Sequence, residues 1–251
     1  MNTDIERFGS DPAASIRANL DEVRARMHAA CQRAGRDPAE VRLLPVSKTV
    51  PAHIVRIAHG LGLNAFGENK VQEAQAKSAE LADLPLRWSV IGHLQTNKAR
   101  DVARFAHEFQ ALDSLRLARE LDRRLQIEHR TLDVYVQVNT SGEDSKFGVA
   151  PDQVAAFVAE LHAFPRLQPR GFMTLAIFSD DHIRVRACFR LLRELRDAIA
   201  HPQLTGLSMG MSGDMEIAIE EGASVIRVGQ GIFGKRPGSD AHYWPGLIPD
   251  K

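Results

Sequence analysis

The chain has 251 residues with 32 Lys plus Arg against 32 Asp plus Glu, so its formal net charge is zero and no electrostatic case arises for a nucleic-acid or membrane partner. Hydrophobic residues make up 44% and charged residues 25%, a balance typical of a soluble globular protein with one sizeable core. Two cysteines, Cys31 and Cys188, are too few for a disulfide framework and have no CxxC or His cluster beside them, which points to free thiols in the cytoplasm. The acidic start MNTDIERFGSDP is no signal peptide, and no apolar run approaches the roughly 18 residues of a membrane span.

Residues 1–11 read as a loose, flexible tail. Ile16, Leu20, Val23 and Met27 fall at helical spacing within 12–35, and Gly35 marks a stop. Strand-like and helix-like segments then alternate. Strands are predicted at 41–48, 63–67, 87–92, 109–114, 132–139, 170–175, 204–210 and 224–229. Helices or helical turns are expected at 52–60, 69–82, 96–107, 115–129, 152–163, 181–200, 213–221 and 231–234. Strict β-then-α alternation implies parallel strands with crossover helices. Eight repeats are the number that closes a (β/α)8 TIM barrel, here spanning 12–235 as one domain. A doubly wound open sheet is the competing architecture. The Pro- and Gly-rich residues 236–251 form a C-terminal tail.

In a barrel, function sits at the C-terminal ends of the strands. Period-two alternation puts Leu44, Val46 and Lys48 on one face, so Lys48 stands at the mouth if the other two point inward. An amine among apolar groups is available to attack an aldehyde, whereas the bland reading is a solvated strand-end lysine. Met211 and Ser212 end the seventh strand, and Gly229, Gln230 and Gly231 end the eighth. Loops after these two strands are a common phosphate site in barrels, although two ordinary Gly-containing turns would look the same. Asp214 and Glu216 oppose an anion at the seventh, so the eighth should carry more of the load. Gly229 and Gly231 are expected to resist larger residues because a Cβ would crowd a phosphate. Arg227 shares its face with Val225 and should project inside, where it needs a partner: a ring nitrogen, or a structural carboxylate. Asn69, His93, Asn97 and Lys146 are weaker candidates. There is no GxGxxG, P-loop, GxSxG or HExxH.

Six segments together resemble the pyridoxal-phosphate homeostasis proteins. They are VSKT (46–49), FGEN (66–69), IGHLQTNK (91–98), VNTSGEDSKFG (138–148), LSMGMSGDMEIAIEEG (207–222) and IRVGQGIFG (226–234). That family comprises the single-domain, alanine-racemase-like, fold-type-III barrels that bind pyridoxal 5′-phosphate (PLP). The resemblance implies a Schiff base on Lys48. It implies a phosphate held by Ser212 (with Met211 beside it), Gly229 and Gln230, Arg227 against the pyridine nitrogen, and Asn69 near the cofactor. Gln230 stands where the family often has threonine, so its backbone N–H is the contact expected there.

The function implied is storage and delivery of PLP without robust turnover, with free amino acids and PLP-dependent apo-enzymes as partners and a monomeric chain. An amino-acid racemase is the alternative, and a Schiff-base aldolase acting on a sugar phosphate is a third reading. A racemase of this group needs a second base opposite the lysine. The chain offers two tyrosines, Tyr135 inside a strand and Tyr243 in the tail, and no extra β-domain.

Overall fold

In the computed structural model, residues 3–143 and 146–235 are described. Helix α1 (Thr3–Phe8) precedes α2 (Pro12–Arg33), and eight β/α units follow. These are β1 (Arg42–Pro45) and α3 (Ala52–Gly60), β2 (Ala65–Glu68) and α4 (Val71–Glu80), β3 (Arg87–Val90) and α5 (Ala99–Phe105), and β4 (Glu108–Leu112) and α6 (Leu115–Ile127). The second half holds β5 (Leu132–Gln137) and α7 (Val154–Glu160), β6 (Leu167–Met173) and α8 (His182–Ile199), β7 (Gly206–Ser208) and α9 (Met215–Glu220), and β8 (Val225–Val228) with α10 (Gln230–Phe233).

All strand pairings are parallel, in the order β1-β8-β7-β6-β5-β4-β3-β2. The two ends of that order meet through the bridge Val46–Gly67, where the Ser47 N–H donates to the Gly67 carbonyl at 3.0 Å. The sheet therefore closes on itself, and the open doubly wound alternative is excluded.

Local sequence explains the wall. The Asp11 carboxylate caps α2 by accepting from the Ala14 N–H at 3.0 Å, and Pro12 opens the helix, where its missing N–H costs nothing. Ile16, Leu20, Val23 and Met27 are all buried, as their spacing predicts. In α6, Ser114 caps and Leu117, Leu121 and Leu125 bury one stripe. Each such side chain contributes about 1.5–3 kcal/mol by leaving water. Strands β6 and β7 approach so closely that a Cβ on Gly171 would lie 1.9 Å from the Gly206 carbonyl oxygen, and the Tyr135 ring fills the space beside Gly206.

The N-terminal segment departs from the expected loose tail. Residues 3–8 form α1, Phe8 is buried, and the Arg7 guanidinium donates to the Thr49 carbonyl at 2.7 Å, the Thr49 hydroxyl at 3.1 Å and the Phe233 carbonyl at 3.2 Å. One apolar anchor and one multivalent cation are enough to dock this short helix, a pairing that hydropathy alone does not reveal. The expected tail at 236–251 lies outside the described residues.

Candidate functional site

The mouth of the barrel has two sides. On the β1 side, Lys48 is half-buried, but not at a strand end: β1 stops at Pro45, and Lys48 lies in the turn that follows. The ladder ends there because the Ser47 carbonyl is claimed by the Val50 N–H at 2.9 Å and by the Lys77 ammonium at 2.7 Å. Leu44 and Val46 do share a face, since a Cβ on Gly67 would touch both.

Residues flanking Lys48 are held by two carboxyls that share one lysine. Ser47 Oγ donates to Glu68 Oε1 at 2.7 Å, and the Thr49 N–H donates to Glu73 Oε1 at 2.6 Å. Lys77 Nζ reaches both carboxylates at 2.7 Å. Thr49 adopts φ +63°, a left-handed conformation that a β-branched residue rarely holds without outside support. Glu68 is fully buried and its Oε2 has no partner. Burial pushes its carboxyl up to about 7, against the pull of Lys77 and with the help of Glu73. Sequence reasoning missed this clamp. The available signal was the i, i+4 pair Glu73 and Lys77, which on a helix ordinarily reads as a solvated surface pair.

On the β7–β8 side, Ser212 Oγ accepts from the Gly231 N–H at 3.2 Å, so the two loops meet as the sequence suggests. Backbone N–H groups of Ser212 and Gly229 have no partner among the described residues. Helix α2 backs both loops: Arg26 donates to the Ser212 carbonyl at 2.9 Å while pairing with Glu216, and Asn19 donates to the Ile232 carbonyl at 3.0 Å. Glu216 is thus neutralised by Arg26. Asp214 Oδ1 accepts from the Met211 N–H at 2.5 Å, and burial holds its carboxyl above the usual range.

Both glycines are closely packed by the protein itself. A Cβ at 229 would stand 3.2 Å from the Val46 carbonyl oxygen, and one at 231 would stand 2.9 Å from Val228 Cγ1. Packing is thus a reason for glycine at both positions that holds with no phosphate bound.

Arg227 lies inside the barrel as its phase predicts, 3% exposed. Its Nη1 donates to Ser208 Oγ at 2.7 Å and its Nη2 to the Thr174 carbonyl at 2.8 Å. Both partners are neutral, so the structural carboxylate considered from sequence is absent from its hydrogen bonds. Burial lowers the guanidinium to about 10, with Asp214 pulling the other way, and it remains a cation at pH 7.

Asn69 borders a cleft beside the mouth together with Lys70, His93 and Lys98. Its backbone carbonyl sits where a Cβ on Gly92 would be, 2.3 Å away. His93 stacks on Phe147 with ring centroids 3.7 Å apart and contacts Asp113 at 3.3 Å. Lys146 donates to the Ala176 carbonyl at 3.0 Å and pairs with Glu143.

Among the described residues no group of three or more His, Cys, Asp or Glu could hold a metal, and no helix is long and apolar enough to cross a membrane. The mouth offers a lysine on a stiffened turn, open N–H donors beside a hydroxyl, and a buried cation with neutral partners. That set fits an aldehyde bearing a phosphate and a ring acceptor.

Fold and site together define a barrel of the alanine-racemase type: the family model for the alanine racemase N-terminal domain matches residues 16–237. An alanine racemase of Clostridium difficile shares the fold at TM-score 0.67 with 13% identity, covering 90% of this chain and 57% of its own. Much nearer in sequence is the pyridoxal phosphate homeostasis protein of Pseudomonas aeruginosa, 45% identical over 223 residues, which are 89% of this chain and 96% of that one. Its counterpart in Escherichia coli is 40% identical over 232 residues, 88% and 97% of the two chains. Among solved structures, PipY of Synechococcus elongatus with PLP bound superposes at TM-score 0.77 with 36% identity, covering 87% of this chain and 100% of its own. The chain belongs to the family of pyridoxal phosphate homeostasis proteins.

Proposed function

We propose that this protein holds PLP as a Schiff base on Lys48 and serves the homeostasis of the cofactor in the cytoplasm, storing it and delivering it without robust turnover. The observation that carries the reading is the adjacency of two unlike devices. Gly229 lies against the Val46 carbonyl, so the stiffened Lys48 turn and the open N–H groups of the β7–β8 side border one another. Relatives named for PLP homeostasis, and PipY with PLP bound, support it.

The Ser212 and Gly229 N–H groups, with the Ser212 hydroxyl and the Gln230 backbone, would bind the phosphate, with Met211 beside them. Asn69 would lie at the cofactor's edge, and Arg227 would face the ring nitrogen. When bound, PLP supplies an electron-withdrawing ring that can stabilise negative charge on an attached amino acid. Arg227 can only donate, so it would leave the ring nitrogen unprotonated and that withdrawal weak. A racemase also requires a placed base on the opposite face. Tyr135 is buried level with Gly206, the first residue of β7, far down the barrel from Lys48, and Tyr243 lies outside the described residues. Imine exchange needs only a neutral amine and access, so free amino acids would displace Lys48 and release the cofactor toward apo-enzymes. The chain would act as a monomer.

Borohydride reduction of the PLP-loaded protein followed by peptide mass spectrometry tests the anchor, and the adduct is expected on Lys48. An adduct on Lys98 or Lys146 would overturn the assignment. Amino acids should shift the absorption spectrum while their α-protons exchange little with heavy water; sustained racemisation would establish the enzyme instead.

A further inference from the structure

A chain of side chains crosses the barrel interior from its lower rim to Arg227. Arg42, which opens β1 with its side chain 41% exposed, donates to Glu108 Oε2 at 2.7 Å. Glu108 Oε1 accepts from Gln110 Nε2 at 2.7 Å and from Ser89 Oγ at 2.8 Å. Gln110 Oε1 accepts from Ser208 Oγ at 2.7 Å, and Ser208 Oγ accepts from Arg227 Nη1 at 2.7 Å. Strands β4 and β7 are not neighbours in the sheet, so the Gln110–Ser208 bond spans the lumen. Gln110 and Ser208 are fully buried.

The direction of this chain is determined at both ends. Glu108, ion-paired to Arg42, only accepts; Arg227 only donates. Gln110 and Ser208 between them could each point either way, but one order alone satisfies both ends. The amide nitrogen must face Glu108, so its oxygen faces Ser208. The single hydroxyl proton of Ser208 is then spent on Gln110, and its lone pair faces Arg227. Such chains gain strength cooperatively in a low-dielectric interior.

We propose that Glu108, Gln110 and Ser208 are positioning residues that fix the orientation of the Arg227 guanidinium, and through it the unprotonated state of a cofactor ring nitrogen at the mouth; the second clause rests on the PLP reading above. The carboxylate that sets the order of this chain thus lies at the opposite end of the barrel from the mouth. Ser89 donates to the same Glu108 oxygen without being a link to Arg227, so it serves as an internal control.

The test uses Gln110→Met, Ser208→Ala and Ser89→Ala in the full chain, with thermal melts to verify folding. In the unloaded protein, nitrogen NMR should resolve distinct Arg227 Nη signals, reporting hindered guanidinium rotation. These should merge in Gln110→Met and Ser208→Ala and persist in Ser89→Ala. With PLP carrying labelled ring nitrogen, the first two variants should bind about tenfold more weakly, the loss of one hydrogen bond to a charged group, and show a moved ring-nitrogen shift. If Gln110→Met does not fold, Ser208→Ala decides. Unchanged Arg227 signals in the folded variants, or an equal change in Ser89→Ala, would overturn the proposal. Should the Arg227 signals respond while the wild-type protein takes up no PLP, the positioning network stands and the PLP reading falls.

Discussion

The two sides of the barrel mouth are built on opposite principles. On the β1 side, the turn carrying Lys48 is gripped by a cluster of two carboxyls and a lysine, the buried Glu68 and Lys77 with the half-buried Glu73, and Arg7 reaches over Thr49. On the β7–β8 side, the loops rely on glycine, backbone amides and one hydroxyl, backed by α2. Charge suits the first task because it can hold a residue such as Thr49 at φ +63°. Small neutral groups suit the second if it takes up the proposed phosphate, because an anion approaches backbone N–H donors where no side chain intervenes. Damage should accordingly appear as lost chemistry or lost wall stability on one side, and as lost packing on the other.

The sharpest break in that comparison is Lys48→Ala. It should abolish the borohydride-trapped adduct entirely while shifting the melting temperature by no more than about 2 °C, since a half-buried side chain on a turn carries little core. A collapse of the fold would show that Lys48 is structural.

Next in size is Lys77→Met, which strands Glu68 and Glu73 beside each other. Urea denaturation should show a loss of about 3–5 kcal/mol, partly recovered by adding Glu68→Gln, because removing one member of a buried ion pair costs more than removing both. A loss below about 1 kcal/mol would mean the clamp is not under load.

The pH dependence of stability isolates Glu68. The native state keeps this proton up to about 7, whereas the ordinary value is 4.5. Between those values the native state binds more protons than the unfolded chain, so this group's contribution to unfolding free energy falls as pH rises and is fully present only below the lower value. Glu68→Gln should flatten that decline in denaturant titrations run across the window. A slope unchanged in the variant would assign the effect elsewhere.

The smallest effects belong to the β7–β8 side. Gly231→Ala should cost about 1–3 kcal/mol without any PLP present, because its Cβ meets Val228 Cγ1 at 2.9 Å and Val23 Cγ2 at 3.3 Å. Gly229→Ala should cost less, its one tight neighbour being the Val46 carbonyl oxygen at 3.2 Å. Equal tolerance at both positions would remove the packing account of these glycines.

Much of this molecule can be read along the chain, and for local reasons. Alternation of period two with spacing of three to four announces eight β/α units, and caps and glycines mark most of their limits to within a few residues. The phase of Val225 and Arg227 sends the guanidinium inward, and strand order alone brings the end of β1, at Val46, against Gly229. Strand ends were overestimated at Lys48, where a lysine from α4 takes the carbonyl that would have extended the ladder.

What sequence could not supply are the partners of buried polar groups. Residues 42, 89, 108, 110, 208 and 227 come from five strands and carry no shared spacing. They form one network only because closing the sheet brings non-adjacent strands face to face. Docking of α1 through Phe8 and Arg7 has the same origin, since Thr49 and Phe233 lie far apart in the chain. Sequence by itself determined the barrel and the inward phase of Arg227, because these follow from local periodicity and chain order. Tertiary structure alone decided which charge holds which turn, because a buried hydrogen bond is set by three-dimensional proximity and by the need of every buried donor and acceptor for a partner.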